Sequence, residues 1–146
     1  MGTINCRISP TFFVKDSNAE VFGLDELGQP GAAAVKTGNS LSVFSCAYKL
    51  DPEFLRDLAR KSGVHVFTEN PDPMEANGAL FTLHARFAGK KTVTLPCKTT
   101  VLDVFNKKIV ARDSAQFSFD APLHSSWLFY YGNDADILLK KLQKNR

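Results

Sequence analysis

From Ala79 to Tyr131 the chain repeats one pattern: short runs of β-branched and aromatic residues, alternating apolar and polar, cut by tight polar turns. Phe81, Leu83, Ala85 and Phe87 alternate with Leu80, Thr82, His84 and Arg86. Ala88-Gly89-Lys90 turns, and Val93, Leu95 and Cys97 alternate with Thr92 and Thr94 up to Pro96. Val101 to Phe105, Ile109 to Ala111, Gln116 to Asp120 and Ser126 to Tyr131 follow at short intervals, with Asn106-Lys107-Lys108 as a turn. A period of two sends successive side chains to opposite faces, so each run has one face for a core and one for water. Strands at this cadence predict an antiparallel β-sandwich. Further strands are expected at Ile8 to Val14, Ala32 to Lys36, Leu41 to Tyr48 and Val64 to Thr68, with a loop from Gly23 to Gly31.

One helix interrupts the pattern. Asp51 can accept hydrogen bonds from free N–H groups, Pro52 suits the first helical position, and Glu53 suits the positive end. Leu50 and Leu55 have the spacing of a hydrophobic staple. Phe54, Leu55, Leu58 and Ala59 form a stripe, and Gly63 supplies the left-handed stop. The expectation is a packed helix over 51–62, followed at the far end by a short C-terminal helix with Ala135, Leu138, Leu139 and Leu142 on one side. The class is therefore mainly β (α+β), and the short connections around the first helix suggest one strand-rich domain over residues 1–146.

Composition narrows the functional classes. The formal charge of +3 is spread over separated pairs, Lys90-Lys91, Lys107-Lys108 and Lys140-Lys141, with acidic residues between them. Nucleic-acid binders concentrate such charge on one face, so nucleic acid is not the expected partner. No apolar run approaches the roughly 20 residues of a membrane span, and the start lacks a signal-peptide core. A soluble protein is expected, in no particular compartment. Cys6, Cys46 and Cys97 are an odd, scattered set; Cys46 and Cys97 read as small buried hydrophobes, with one bridge left open.

Catalysis would need a cluster. Asp103 and Asp120 are the strand-end carboxylates worth weighing, although turn and capping roles are the usual fate of such residues. Ser45 lacks the glycines of a nucleophile elbow. His65, His84 and His124 fall on separate runs without metal spacing, and no glycine-rich phosphate loop is present. No catalytic residue, metal or cofactor is expected. Aromatic residues carry more signal. With twelve phenylalanines and one tryptophan, the core is built on Phe. Trp127, Phe129 and Tyr131 share one side of their run. If that side were exposed, Trp127 and Tyr131 with His84 could form a sugar-stacking platform; if it faces the core, they are packing residues.

Several stretches are similar to a known family. Gly63-Val64-His65-Val66-Phe67, Ala76-Asn77-Gly78-Ala79-Leu80, Leu83-His84-Ala85, Ala88 to Pro96 and Val101 to Phe105 resemble the C-terminal region of β-galactosidase-like glycoside hydrolases. There, an amidotransferase-like domain ends in a helix and a small antiparallel β domain follows. The resemblance covers roughly the last two thirds of the chain. It implies a fragment of a larger protein and a non-catalytic accessory role, with the remainder of the parent hydrolase as partner. The family's catalytic carboxylates belong to a barrel that 146 residues cannot hold. The alternative is an independent carbohydrate-binding module with carbohydrate as the partner; oligomerisation is left open.

Overall fold

The computed structural model describes residues 9–47 and 49–144. Contacts divide the chain after Asp51 into two compact units, where the sequence suggested one domain. The first holds a three-stranded antiparallel meander, β1 (Glu20–Leu24), β2 (Pro30–Thr37) and β3 (Ser40–Ser45). The Asp25 carboxylate accepts from the N–H groups of Leu27 and Gln29, and this closes the first turn. The expected Gly-rich loop thus contracts, as β1 continues to Leu24 and β2 begins at Pro30. Residues 9–14 form no strand, contrary to expectation; Val14 only donates to the Pro30 carbonyl. Ile8 and Tyr48, at the margins of two expected strands, lie outside the described residues.

The second unit opens with α1 (Pro52–Lys61), within a residue of the expected span. Gly63, at φ +73°, ends it with paired bonds: Val64 N–H donates to Ala59 O, and Gly63 N–H donates to Arg60 O. Both close the last carbonyls of the helix. Of its expected stripe Phe54, Leu58 and Ala59 are half-buried, Leu55 is exposed, contrary to expectation, and no residue of α1 is fully covered. Arg60 bridges Asp57 and Glu69 on the exposed side, and its hydrogen bond holds the Glu69 carboxyl below the usual range.

Five antiparallel strands follow: β4 (Met74–Asn77), β5 (Leu80–His84), β6 (Gly89–Asp103), β7 (Lys108–Ala121) and β8 (Ser126–Tyr131), before α2 (Ala135–Lys144). Their order is β4-β5-β8-β6-β7. Where the sequence suggested four short strands, the structure has two long ones, β6 and β7. Their register shifts between Thr94 and Thr99, around Pro96, a residue that strands tolerate at a bulge. Only Val101 to Asp103 of β6 pairs with β8. Beyond the bulge the hairpin folds back, and Val93, Leu95 and Phe117 meet Phe81 and Phe129 in one core. One sheet thus makes two layers, the mainly β, sandwich-like class expected.

Three expectations fail for local reasons. Val64 to Thr68 is not a strand: the segment runs along the edge of β6, and Phe67 O accepts one bond from Thr94 N–H. Cys97 is exposed and Cys46 only half-buried, Cys97 because it sits in the bulge where pairing lapses. Phe87 is 57% exposed, because the strand ends at His84 and the alternation does not extend into the turn.

α2 lies against β6 and β7 with Ala135 fully buried. Arg112 grips Asp136 through both guanidinium nitrogens, at 2.7 and 2.8 Å. Those hydrogen bonds, helped by the charges of Arg112 and Lys140, hold the Asp136 carboxyl below the usual range. A folded value below the unfolded one adds stability above the unfolded pKa of about 3.9 and loses it as pH falls further. The protection of α2 amides, relative to their intrinsic exchange at each pH, should therefore fall selectively below about pH 4. Arg112→Ala should raise exchange at neutral pH and flatten that acid response; an unchanged profile would show that the pair does not hold the helix.

Candidate functional site

β8 sets the geometry. Trp127, Phe129 and Tyr131 project to the side where Phe81 and Leu83 of β5 are buried, through the register pairs Phe81 with Phe129 and Leu83 with Trp127. Trp127 is half-buried; the Phe119 ring lies 4.7 Å from it and the Phe129 ring lies parallel at 5.9 Å. Its indole N–H donates to Ser125 Oγ at 2.9 Å. Tyr131 packs on Phe67 and Phe81, and its hydroxyl donates to Gly78 O at 2.6 Å. Both polar handles are thus taken up by neighbours in the same unit.

His84 stands on the opposite face of β5. It pairs across the strands with Ser126, whose hydroxyl is hydrogen-bonded to Nδ1 at 2.9 Å. The three residues considered for a sugar platform therefore do not share a surface: alternation sends Trp127 and Tyr131 one way and His84 the other. What His84 meets instead is His124, with ring centroids 6.3 Å apart, because the loop after β7 is bonded back to Ala85 at both His124 N–H and Ser125 O. Sequence spacing of 40 residues gave no sign of this pairing. Among the described residues no three His, Cys, Asp or Glu side chains form a metal-holding group.

The two carboxylates singled out from the sequence do come together. Asp103 and Asp120 line one open cleft of about 370 Å³, with Lys108, Ile109, Val110, Ser118, Phe119, Trp127 and Phe129 as its other walls. It lies where the two halves of bent β7 stand over β8. Asp103 is fully buried, and both its oxygens are engaged by Asn106, through the backbone N–H at 3.0 Å and the side-chain amide at 2.7 Å. This is turn chemistry: the carboxylate closes the β6–β7 connection. Asp120 is exposed at the rim, opposite Lys90 in register. Lys108 and Ser118 were not singled out, since only the bend in β7 brings them to the same opening.

A buried ion pair also escaped the sequence reading. Lys91 Nζ lies 2.7 Å from Asp72 Oδ2, with both side chains at 5% exposure or less. Oδ2 takes no hydrogen bond apart from this ammonium, while Oδ1 accepts from Arg86 N–H. The sequence places Lys91 beside a turn at Lys90, but the strand begins at Gly89, so Lys91 falls on an inward position. No helix among the described residues is long and apolar enough to cross a membrane. No protein-family model, curated protein or solved structure matches the chain.

Proposed function

We propose that this chain is a non-catalytic accessory module that packs on, or helps assemble, a carbohydrate-active enzyme resembling the β-galactosidase-type glycoside hydrolases. The observation that supports this reading is that the fold itself occupies Asp103, Trp127 and Tyr131, and leaves Asp120 alone at the cleft rim. Asp103 is buried and holds a turn, whereas general acid–base work needs a carboxyl within reach of substrate. Trp127 and Tyr131 spend their ring contacts and their donors on neighbours in the same unit. The family assignment rests on the sequence motifs alone.

The test has two parts. The isolated chain is expected to leave chromogenic galactosides and glucosides intact; turnover that survives repurification and disappears on replacing Asp103 or Asp120 would overturn the reading. Trp127→Ala is expected to cost about 3 kcal/mol, the lower end for aromatic truncation because the ring is only half-covered. Titration of the wild type with neutral galacto- and gluco-oligosaccharides should show no binding. The cleft beside Trp127 is the one feature favouring the carbohydrate-binding alternative. A stable Trp127→Ala variant that has lost measurable sugar affinity would establish that alternative instead.

A further inference from the structure

Two lysine pairs 33 residues apart in sequence, by their numbers Lys107-Lys108 and Lys140-Lys141, meet at one end of the second unit. Lys107 Nζ donates to Leu142 O at 2.8 Å, which sets the β6–β7 turn beside the last turn of α2. The exposed residues there are Lys108 on the strand and Lys140, Lys141 and Lys144 on the helix. Of the nearby carboxylates, Asp136 is paired with Arg112 and has Lys140 one turn on, Asp103 is buried under Asn106, and Asp134 takes the Tyr130 hydroxyl; Asp120 stands at the rim of the cleft that Lys108 also lines. Among the described residues Lys108, Lys141 and Lys144 enter no ion pair. At the tip of the same turn Phe105 is 61% exposed.

We propose that this surface, Lys108, Lys140, Lys141 and Lys144 with Phe105 in the adjoining turn, docks an acidic polysaccharide, one bearing uronate or sulfate groups. Clustered cations attract a polyanion and release its counterions, and the uncovered phenylalanine ring offers a face for the C–H side of a pyranose. The cations are all lysines, mobile point charges. Arg112, whose planar fork would suit phosphate or a guanine edge, is held by Asp136. A membrane surface is disfavoured because Ile137 is the sole large apolar side chain exposed on α2 among its described residues. The choice of polysaccharide over another polyanion also rests on the carbohydrate-associated role proposed above; the charge surface does not.

The test titrates the full chain with polygalacturonate and with heparin at low salt. Binding is expected to at least one, weakening steeply as salt rises, since these charges are solvent-exposed. The K108E/K141E/K144E variant should lose about tenfold or more in affinity, whereas K36E/K90E/K98E, with the same change in net charge, should retain it within about threefold. Melting curves matching the wild type show that both variants fold. Equal losses in the two variants would reduce the effect to net charge and overturn the proposal. So would absence of binding to both polymers, or tighter binding to single-stranded RNA. None of these results touches the accessory reading, which stands or falls on the hydrolysis assay and the Trp127→Ala variant.

Discussion

Asp72→Ala is expected to destabilise the second unit by about 3–5 kcal/mol, because it strands a buried ammonium without its counter-charge. Lys91 is 5% exposed at its side chain and Asp72 fully covered, so water cannot replace the lost partner. The same substitution removes the acceptor for Arg86 N–H. For a unit of this size a loss of 1 kcal/mol lowers Tm by roughly 4–8 °C, so the shift should be plain in a melting curve. The informative control is Asp72→Leu combined with Lys91→Met. Removing both charges should recover most of the loss, since a buried pair exchanged for apolar side chains of similar size is often neutral. A single substitution no worse than the double one would show that the pair is already hydrated.

Phe129→Ala is expected to cost a comparable 3–5 kcal/mol through the cavity it leaves. Phe129 is fully buried, with ring centroids of Phe81, Phe119 and Phe117 at 4.9, 5.0 and 5.2 Å. These neighbours come from β5 and from the folded-back half of β7, so the truncation loosens both layers at once. Phe129→Leu fills most of the space and should cost about 1–2 kcal/mol, well below the alanine variant. Urea unfolding of the two variants separates them. If both cost less than 1 kcal/mol, a central place for Phe129 in the core would be wrong.

The reach of local reasoning differs from element to element. α1 was legible because its start and stop depend on groups within a turn of each other: Asp51-Pro52-Glu53 at one end and Gly63 at the other. β8 was legible in its extent, from Ser126 to Tyr131, because its run of aromatic residues is bounded by turns; only Phe129 is fully covered, and the residues on both faces beside it are half-buried. Phe81, Leu83 and Ala85 were found inward because alternation there coincides with burial. The signal weakens where strands end or bend. Phe87 continues the alternation but lies beyond the last paired residue, and Cys97 looks apolar but sits in the bulge. β4 went unread because a short edge strand, exposed in three of its four residues, has no core face to mark it.

The candidate sites divide in the same way. Sequence could single out Asp103 and Asp120 as strand-end carboxylates, and Trp127, Tyr131 and His84 as ring-bearing residues. It also determined the sides: a period of two already separates His84 from Leu83, and groups Trp127 with Tyr131. What it could not determine is which side is wet. That depends on the bend of β6 and β7 at residues 94–99, which lays Phe117 and Phe119 over β5 and β8 and turns the Trp127 side into a core. The same bend puts Asp103 and Asp120 on one cleft, and the docking of α2 brings Lys107 to Leu142. Local geometry is written in nearest neighbours along the chain, so caps, turns and alternation were readable. Burial and charge clustering are properties of residues far apart in sequence, and only the folded chain fixes them.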